Sequence, residues 1–222
     1  SWNTLCLPFD VEDSDENDEL TLSGTPLEGA TLKEFTDASF SDGTLTLNFA
    51  DATFINAGKP YLIKWDGDGT QNLGPTDLVF EAVTASSEMN DEECAADESA
   101  TVTFRGTYDK ISYTDDDKSI LFLGADNTLY YPQSGAYIGA QRAYFQLSGL
   151  TADDTSLAPI RNITLNFGDE ETTTPDLKDM KDATDRNALH APTSAWYTLD
   201  GRQLSGQPTV KRLYIHNGKT IM

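Results

Sequence analysis

The chain has 222 residues and carries 37 Asp and Glu against 15 Lys and Arg, a formal net charge of −22. Phosphate backbones and anionic lipid surfaces are met by clustered cations, so this balance argues against nucleic acid and against an anionic membrane. With 38% hydrophobic residues the chain can bury a real core, which separates it from disordered acidic sequences, and its length suits one large β domain or one domain plus a small appendage.

The chain opens on "SWNTLCLPF" (1–9), already inside an apolar run and without an initiator Met. That start is expected of a mature fragment whose leader, and further domains, have been removed. Cys6 in this run reads as a small buried hydrophobe. The acidic stretch Asp10–Leu20 follows and reads as a solvated loop. Strands are then expected at Thr31–Phe35, over "GTLTLNF", where Leu45, Leu47 and Phe49 alternate with Thr44, Thr46 and Asn48, and over "PYLIKW", with Tyr61, Ile63 and Trp65 on one face. Strict alternation over a handful of residues means a half-buried strand with one face on a core.

A further strand is expected at Leu78–Val83. The stretch Ala85–Ala100, "ASSEMNDEECAADESA", is acidic and poor in β-formers, so it reads as a second solvated loop with Cys94 exposed in it. "TVTFRGTY" aligns Val102, Phe104 and Tyr108. Strands at Ser119–Leu123, Thr128–Tyr131 and Ala143–Leu147 come next, then "RNITLNF" with Ile163, Leu165 and Phe167 aligned. The connecting "SDG", "DGDGTQN", "GADN" and "QSG" carry turn chemistry. About ten strands with short turns and no amphipathic helix imply an all-β fold, a two-sheet antiparallel β-sandwich of jelly-roll-like form, over residues 1–167.

Residues 168–195 form a polar tract that reads as a linker, with Leu177, Met180 and Ala183 at helical spacing inside it. Residues 196–222, "WYTLDGRQLSGQPTVKRLYIHNGKTIM", resume β character as a small C-terminal β-hairpin unit. Asp200–Gly201 marks one turn and Asn217–Gly218 another, the latter a strong hairpin signal because both residues tolerate positive φ. Arg202, Lys211, Arg212 and Lys219 against Asp200 give this unit a charge of +3. A unit of this size buries little alone and is expected to dock, its charge favouring the acidic body.

Few residues carry chemistry. His190 lies in the linker and His216 beside a turn, neither near a nucleophile, and no G-x-S-x-G elbow, zinc spacing or phosphate loop occurs. Acid pairs for glycoside hydrolysis are unavoidable among 37 carboxylates, but most sit in turns without apolar neighbours. Two EF-hand-like partial matches fail. From Asp13, the ligand positions are filled by Asp13, Asp15 and Asn17, but Asp18 replaces the glycine and Gly24 the closing glutamate. Asp66, Asp68 and Asp77 make the other, with Gln71 at the glycine position, and "TDDDK" (114–118) reads as a solvated turn. A Cys6–Cys94 disulfide is permitted in an oxidising compartment, but one pair is no framework. No catalytic residue, metal or cofactor is therefore expected.

Sugar recognition is the main alternative to a purely structural or interaction role. Sugars stack on exposed aromatic rims beside polar groups, and Trp65, Tyr130, Tyr131, Tyr137 and Tyr144 are the aromatics to consider. Trp65 shares a face with Tyr61 and Ile63 and is expected to be buried. Adjacent Tyr130 and Tyr131 point to opposite faces of an extended run, so one of them should be exposed. The ligand-binding candidates are thus Tyr130, Tyr131 and Tyr137.

In order along nearly the whole chain, "WNTLCLPFDV", "GTPLEGATLKEF", "AGKPYLIKW", "TVTFRGTY", "LFLGADNTLYYP", "IGAQRAYFQL", "ITLNFGDE" and "WYTLDGRQLSGQPTVKRLYIHNGKT" resemble the secreted and surface proteins of Bacteroidales. The resemblance implies a non-catalytic β-sandwich at the C-terminal end of an exported protein. Its last unit is similar to the small C-terminal β modules that type IX secretion uses for sorting, with Arg212 standing where that family more often has Gly. The expected function is a secreted or Gram-negative cell-envelope module for interaction or anchoring, with a carbohydrate-binding module at the cell surface as the alternative. The expected partner is a protein or glycan of the envelope, met by a monomeric domain of a larger protein with no transmembrane segment.

Overall fold

A computed structural model describes residues 2–14, 20–65, 80, 83–124, 127–150, 160–168 and 171–174, together with 196–198, 203–204, 214–216 and 219–221. The chain forms two compact units, Ser1–Lys178 and Asp179–Met222. The first holds β1 (Asn3–Cys6), β2 (Asp13–Ser14), β3 (Leu20–Thr21), β4 (Ala30–Ser41), β5 (Thr44–Ala52), β6 (Pro60–Trp65), β7 (Glu92–Ala95), β8 (Thr101–Thr107), β9 (Ile111–Ser112), β10 (Ile120–Leu123), β11 (Leu129–Tyr130), β12 (Tyr137–Ile138), β13 (Arg142–Ser148), β14 (Asn162–Asn166) and β15 (Glu171–Thr174).

These strands make a six-stranded sheet in the order β1-β6-β4-β5-β14-β15 and a five-stranded sheet in the order β11-β10-β13-β8-β7. The two sheets pack face to face, as the alternation of the sequence implies. Leu45, Leu47, Phe49, Ile163, Leu165 and Phe167 of the first meet Val102, Phe104, Phe145 and Leu147 of the second, and all are buried. Phe35 and Phe49 pair across β4 and β5 while Phe104 and Phe145 pair across β8 and β13. The four rings interlock, with edge contacts of 5.8 to 6.4 Å between the sheets. Lys59 adds a polar tie, bridging Glu34 of β4 and Glu92 of β7 at 2.8 and 3.0 Å.

Four features depart from the sequence reading. First, β5 and β14 are parallel in an otherwise antiparallel sandwich. Parallel neighbours need a long crossover, and the connection between them carries β6 and the whole second sheet. Second, the stretch read as a solvated loop at 85–100 contributes β7, an edge strand on β8. An edge strand pairs through its backbone and tolerates charge on its side chains, so β-poor composition did not prevent it. Cys94 there is half-buried, and both thiols are free. Third, β15 lies inside the tract read as a linker and pairs with β14 from Ile163↔Thr174 to Asn166↔Glu171, so the sandwich extends beyond residue 167.

Fourth, β6 is buried on both faces. Tyr61 and Ile63 join Leu7, Val11, Leu22, Leu27, Leu32 and Ile55 in a second core, and Trp65 packs at its margin. Leu7, Val11, Leu22 and Leu27 therefore cover the outer face of β6. The acidic stretch at 10–20 takes part, since Val11 is buried and exchanges two backbone hydrogen bonds of 2.9 Å with Ile55. The β2–β3 pair also falls in it. The strand expected at 78–83 and the second EF-hand-like stretch lie mostly or wholly outside the described residues, as do Asp15, Asn17, Asp18 and His190.

The second unit is a four-stranded antiparallel sheet of β16 (Trp196–Thr198), β17 (Gln203–Leu204), β18 (Tyr214–His216) and β19 (Lys219–Ile221), in the order β17-β16-β18-β19. The register His216↔Lys219 leaves Asn217 and Gly218 as the two connecting residues. Both arms read from the sequence are therefore strands. The turn residues themselves lie outside the described set.

Candidate functional site: a cleft along the first strand

The strand β1 is an edge strand of the first sheet, paired with β6 on one side only. Its other side reaches the second sheet. Cys6 N donates to the Gln141 carbonyl at 3.2 Å, Ala143 N donates to Thr4 Oγ1 at 3.1 Å, and Arg142 Nη1 donates to the Thr4 carbonyl at 3.0 Å. Where these elements diverge, a cleft of about 340 Å³ opens between Trp2–Thr4, the end of β10 at Phe122–Gly124, β12 with Gly139, and the start of β13.

The wall at Trp2 is built from the core outward. Phe49 stacks on Phe167 at 5.6 Å, and Phe167 stacks on Trp2 at 5.0 Å. The Trp2 backbone N–H donates to Asn127 Oδ1 at 2.8 Å, and Lys64 Nζ lies 4.7 Å from the indole centroid. Trp2 is 3% exposed, yet its Nε1–H has no acceptor among the described residues. Leaving such a donor unpaired costs about 1–3 kcal/mol.

On the opposite side Tyr137 stands out from β12, 57% exposed, with Lys110 Nζ 4.0 Å from its ring centroid. It is one of three large hydrophobic side chains exposed among the described residues. Arg142 is exposed, and the Thr4 carbonyl is the one hydrogen-bond partner of its side chain among the described residues. It is also the single charged residue among the described residues lining the cleft, where no carboxylate, histidine or cysteine occurs.

The other sequence candidates fall elsewhere. Tyr130 and Tyr131 are both buried, contrary to the expectation that one would be exposed. The strand β11 ends at Tyr130, so the alternation argument does not reach Tyr131. The Tyr130 ring lies against Phe122 at 6.0 Å, and Lys118 Nζ lies 5.7 Å from the Tyr131 centroid. Tyr144 is half-buried on β13 and Trp65 half-buried at the outer core. Of the three ligand-binding candidates only Tyr137 faces a cleft. Trp2, Asn3 and Arg142 were missed, because nothing local announces that β1 lies beside β13.

The acidic turn 115–117 spends its carboxylates on the chain. Asp117 Oδ1 accepts from Ser119 N and Oγ at 2.9 and 2.6 Å, Asp116 Oδ1 accepts from Ser134 N at 3.0 Å, and Asp115 accepts from Thr114 Oγ1 at 3.1 Å. No cluster of three His, Cys, Asp or Glu side chains suited to a metal occurs among the described residues. A second hollow of about 480 Å³ adjoins Asp10, Glu12 and Pro26; Asp10 Oδ1 there already accepts from Ala57 N at 2.7 Å. No helix among the described residues is long and apolar enough to cross a membrane. Comparison with protein-family models, with curated proteins and with solved structures finds no match in any of the three.

Proposed function

We propose that this chain is a non-catalytic binding module of a secreted or cell-surface protein of the Bacteroidales type, with its C-terminal β unit serving sorting or anchoring. The observation that carries the binding role is the cleft along β1. Its described lining offers an exposed ring and a guanidinium, but no acid/base pair and no nucleophile. Glycoside hydrolysis needs two carboxylates flanking the bond, so this arrangement supports holding a ligand over turning it over. The exposed Tyr137 beside hydrogen-bond donors favours a glycan as that ligand.

Immobilised full-length chain challenged with a panel of surface and dietary polysaccharides is expected to retain at least one of them without releasing new reducing ends. Release of reducing ends that tracks the folded protein would make it an enzyme and end this reading. For the tail, deleting Trp196–Met222 is expected to leave the melting temperature of the sandwich unit unchanged while retention at the cell surface falls. Unfolding of the sandwich on that deletion, or unchanged retention, would remove the sorting role.

A further inference from the structure

The described lining of the cleft is opposite in charge to the chain. Against a net −22, it holds no acid and one cation, Arg142. A second cation, Lys110, leans over the exposed Tyr137 ring. A neutral sugar needs no such pair of cations. Arg142 is also held in place for use. One nitrogen is tied to the Thr4 carbonyl, and no carboxylate pairs with the side chain among the described residues. A guanidinium has five N–H donors in a fixed fork, and that fork matches a carboxylate in a bidentate pair.

With Tyr137 as an exposed ring on its wall, the cleft has a stacking surface and one charged fork. Its volume of about 340 Å³ sits at the small end of the roughly 300–1,000 Å³ usual for ligand sites, which suits a sugar unit or two and not a long groove.

We propose that the cleft binds a carboxylate-bearing sugar, a uronate unit of an acidic glycan. Arg142 takes the carboxylate and Tyr137 stacks on the ring. This rests on the glycan reading above. The −22 charge of the whole chain repels a densely charged polymer, so the fitting ligand is an isolated uronate flanked by neutral sugars.

Titration calorimetry on the full chain tests this with two probes: a xylo-oligosaccharide bearing one glucuronate, and trigalacturonate. Each is run beside its carboxyl methyl ester, which keeps the ring and removes the charge. The acid forms are expected to bind at least about tenfold tighter than the esters, the glucuronate-bearing probe tighter than the trigalacturonate. Arg142→Gln is expected to abolish that preference by weakening the acid form about tenfold or more, the usual size for a charged hydrogen bond. Arg142→Lys, which keeps the charge and loses the fork, should fall between. Tyr137→Ala should weaken acid and ester alike. Melting temperatures equal to that of the parent show that each variant is folded. If acid and ester bind equally, or Arg142→Gln keeps the preference, the uronate assignment is wrong and the glycan reading stands. If the parent chain binds neither these probes nor any neutral oligosaccharide at millimolar concentration, both fall.

Discussion

Replacing Phe104 with alanine is expected to lower the stability of the sandwich by about 3–5 kcal/mol, the usual cost of removing a fully buried aromatic ring. Phe104 has no exposed surface and stacks on Phe145 at 4.5 Å. Its edge contacts with Phe35 and Phe49 come from the other sheet, so alanine opens a cavity where the two sheets meet. Neighbours on two paired strands cannot close it without breaking backbone registers, and close-packed interiors relax only partly. Phe104→Leu refills most of the volume and should recover more than half of the loss. Denaturant unfolding with an unchanged m-value measures both. A loss under 1 kcal/mol for the alanine variant would mean that the sheets do not meet through these rings. Because Phe49, Phe167 and Trp2 continue the stack, the same cavity should also loosen the wall of the cleft.

The protein should lose stability steeply in alkali, beginning near pH 9. Burial, with Asp91 adding to it, pushes the Cys6 thiol up to about 12. Burial, with Tyr144 and Asp117, pushes Tyr113 up to about 12 as well. Tyr61, Tyr108 and Cys94 are raised by burial first of all. Burial works against the Lys59 charge, but its hydrogen bonds to Glu34 and Glu92 prevail and raise it too. Every one of these shifts has the same sign. Below the unfolded-state values, about 8.5 for Cys and about 10 for Tyr and Lys, the stability they represent is fully present. Above them the unfolded chain gives up protons that the fold still holds, so stability falls as pH rises toward the folded values. For a buried group such as Cys6 the slope is about 1.4 kcal/mol per pH unit inside its window; the more exposed Tyr108 and Cys94 contribute less, because solvent screens them.

Cys6 isolates one of these slopes. Its sulfur fills the space beside Gly106, where a side chain on residue 106 would collide with it. Cys6→Ala is therefore expected to be less stable than the parent at pH 8, through lost packing, yet to decline less steeply between pH 9 and 11.5. Urea unfolding at pH 8, 10 and 11.5 reads both effects. An identical slope in the variant would show that the buried thiol is not among the titrating groups.

Much of the architecture was legible because period-two patterning is local. Leu45, Leu47 and Phe49 in β5 and Ile163, Leu165 and Phe167 around β14 all point into the core, as alternation requires of a strand with one wet face. Asn217–Gly218 likewise marks the β18–β19 connection through turn chemistry alone. The failures were of another kind. The strand β7 was invisible because backbone pairing at a sheet edge leaves no apolar signature. The double burial of β6 was invisible because it depends on Leu7, Val11, Leu22 and Leu27 packing over it. Tyr131 was misjudged because a two-residue strand is too short for face assignment to carry past its end.

Alternation and turn residues within a few positions thus carry the all-β class, most of the strands, the inward-facing residues of the main core and strands in the C-terminal stretch. It took the folded chain to show that β5 and β14 lie parallel, that Cys6 sits beside Gly106, and that Trp2 and Asn3 share a cleft with Tyr137 and Arg142. Those outcomes depend on register between strands about a hundred residues or more apart in the chain, which hydrogen bonds such as Arg142 to Thr4 establish. A long-range register of that kind leaves no local pattern to read.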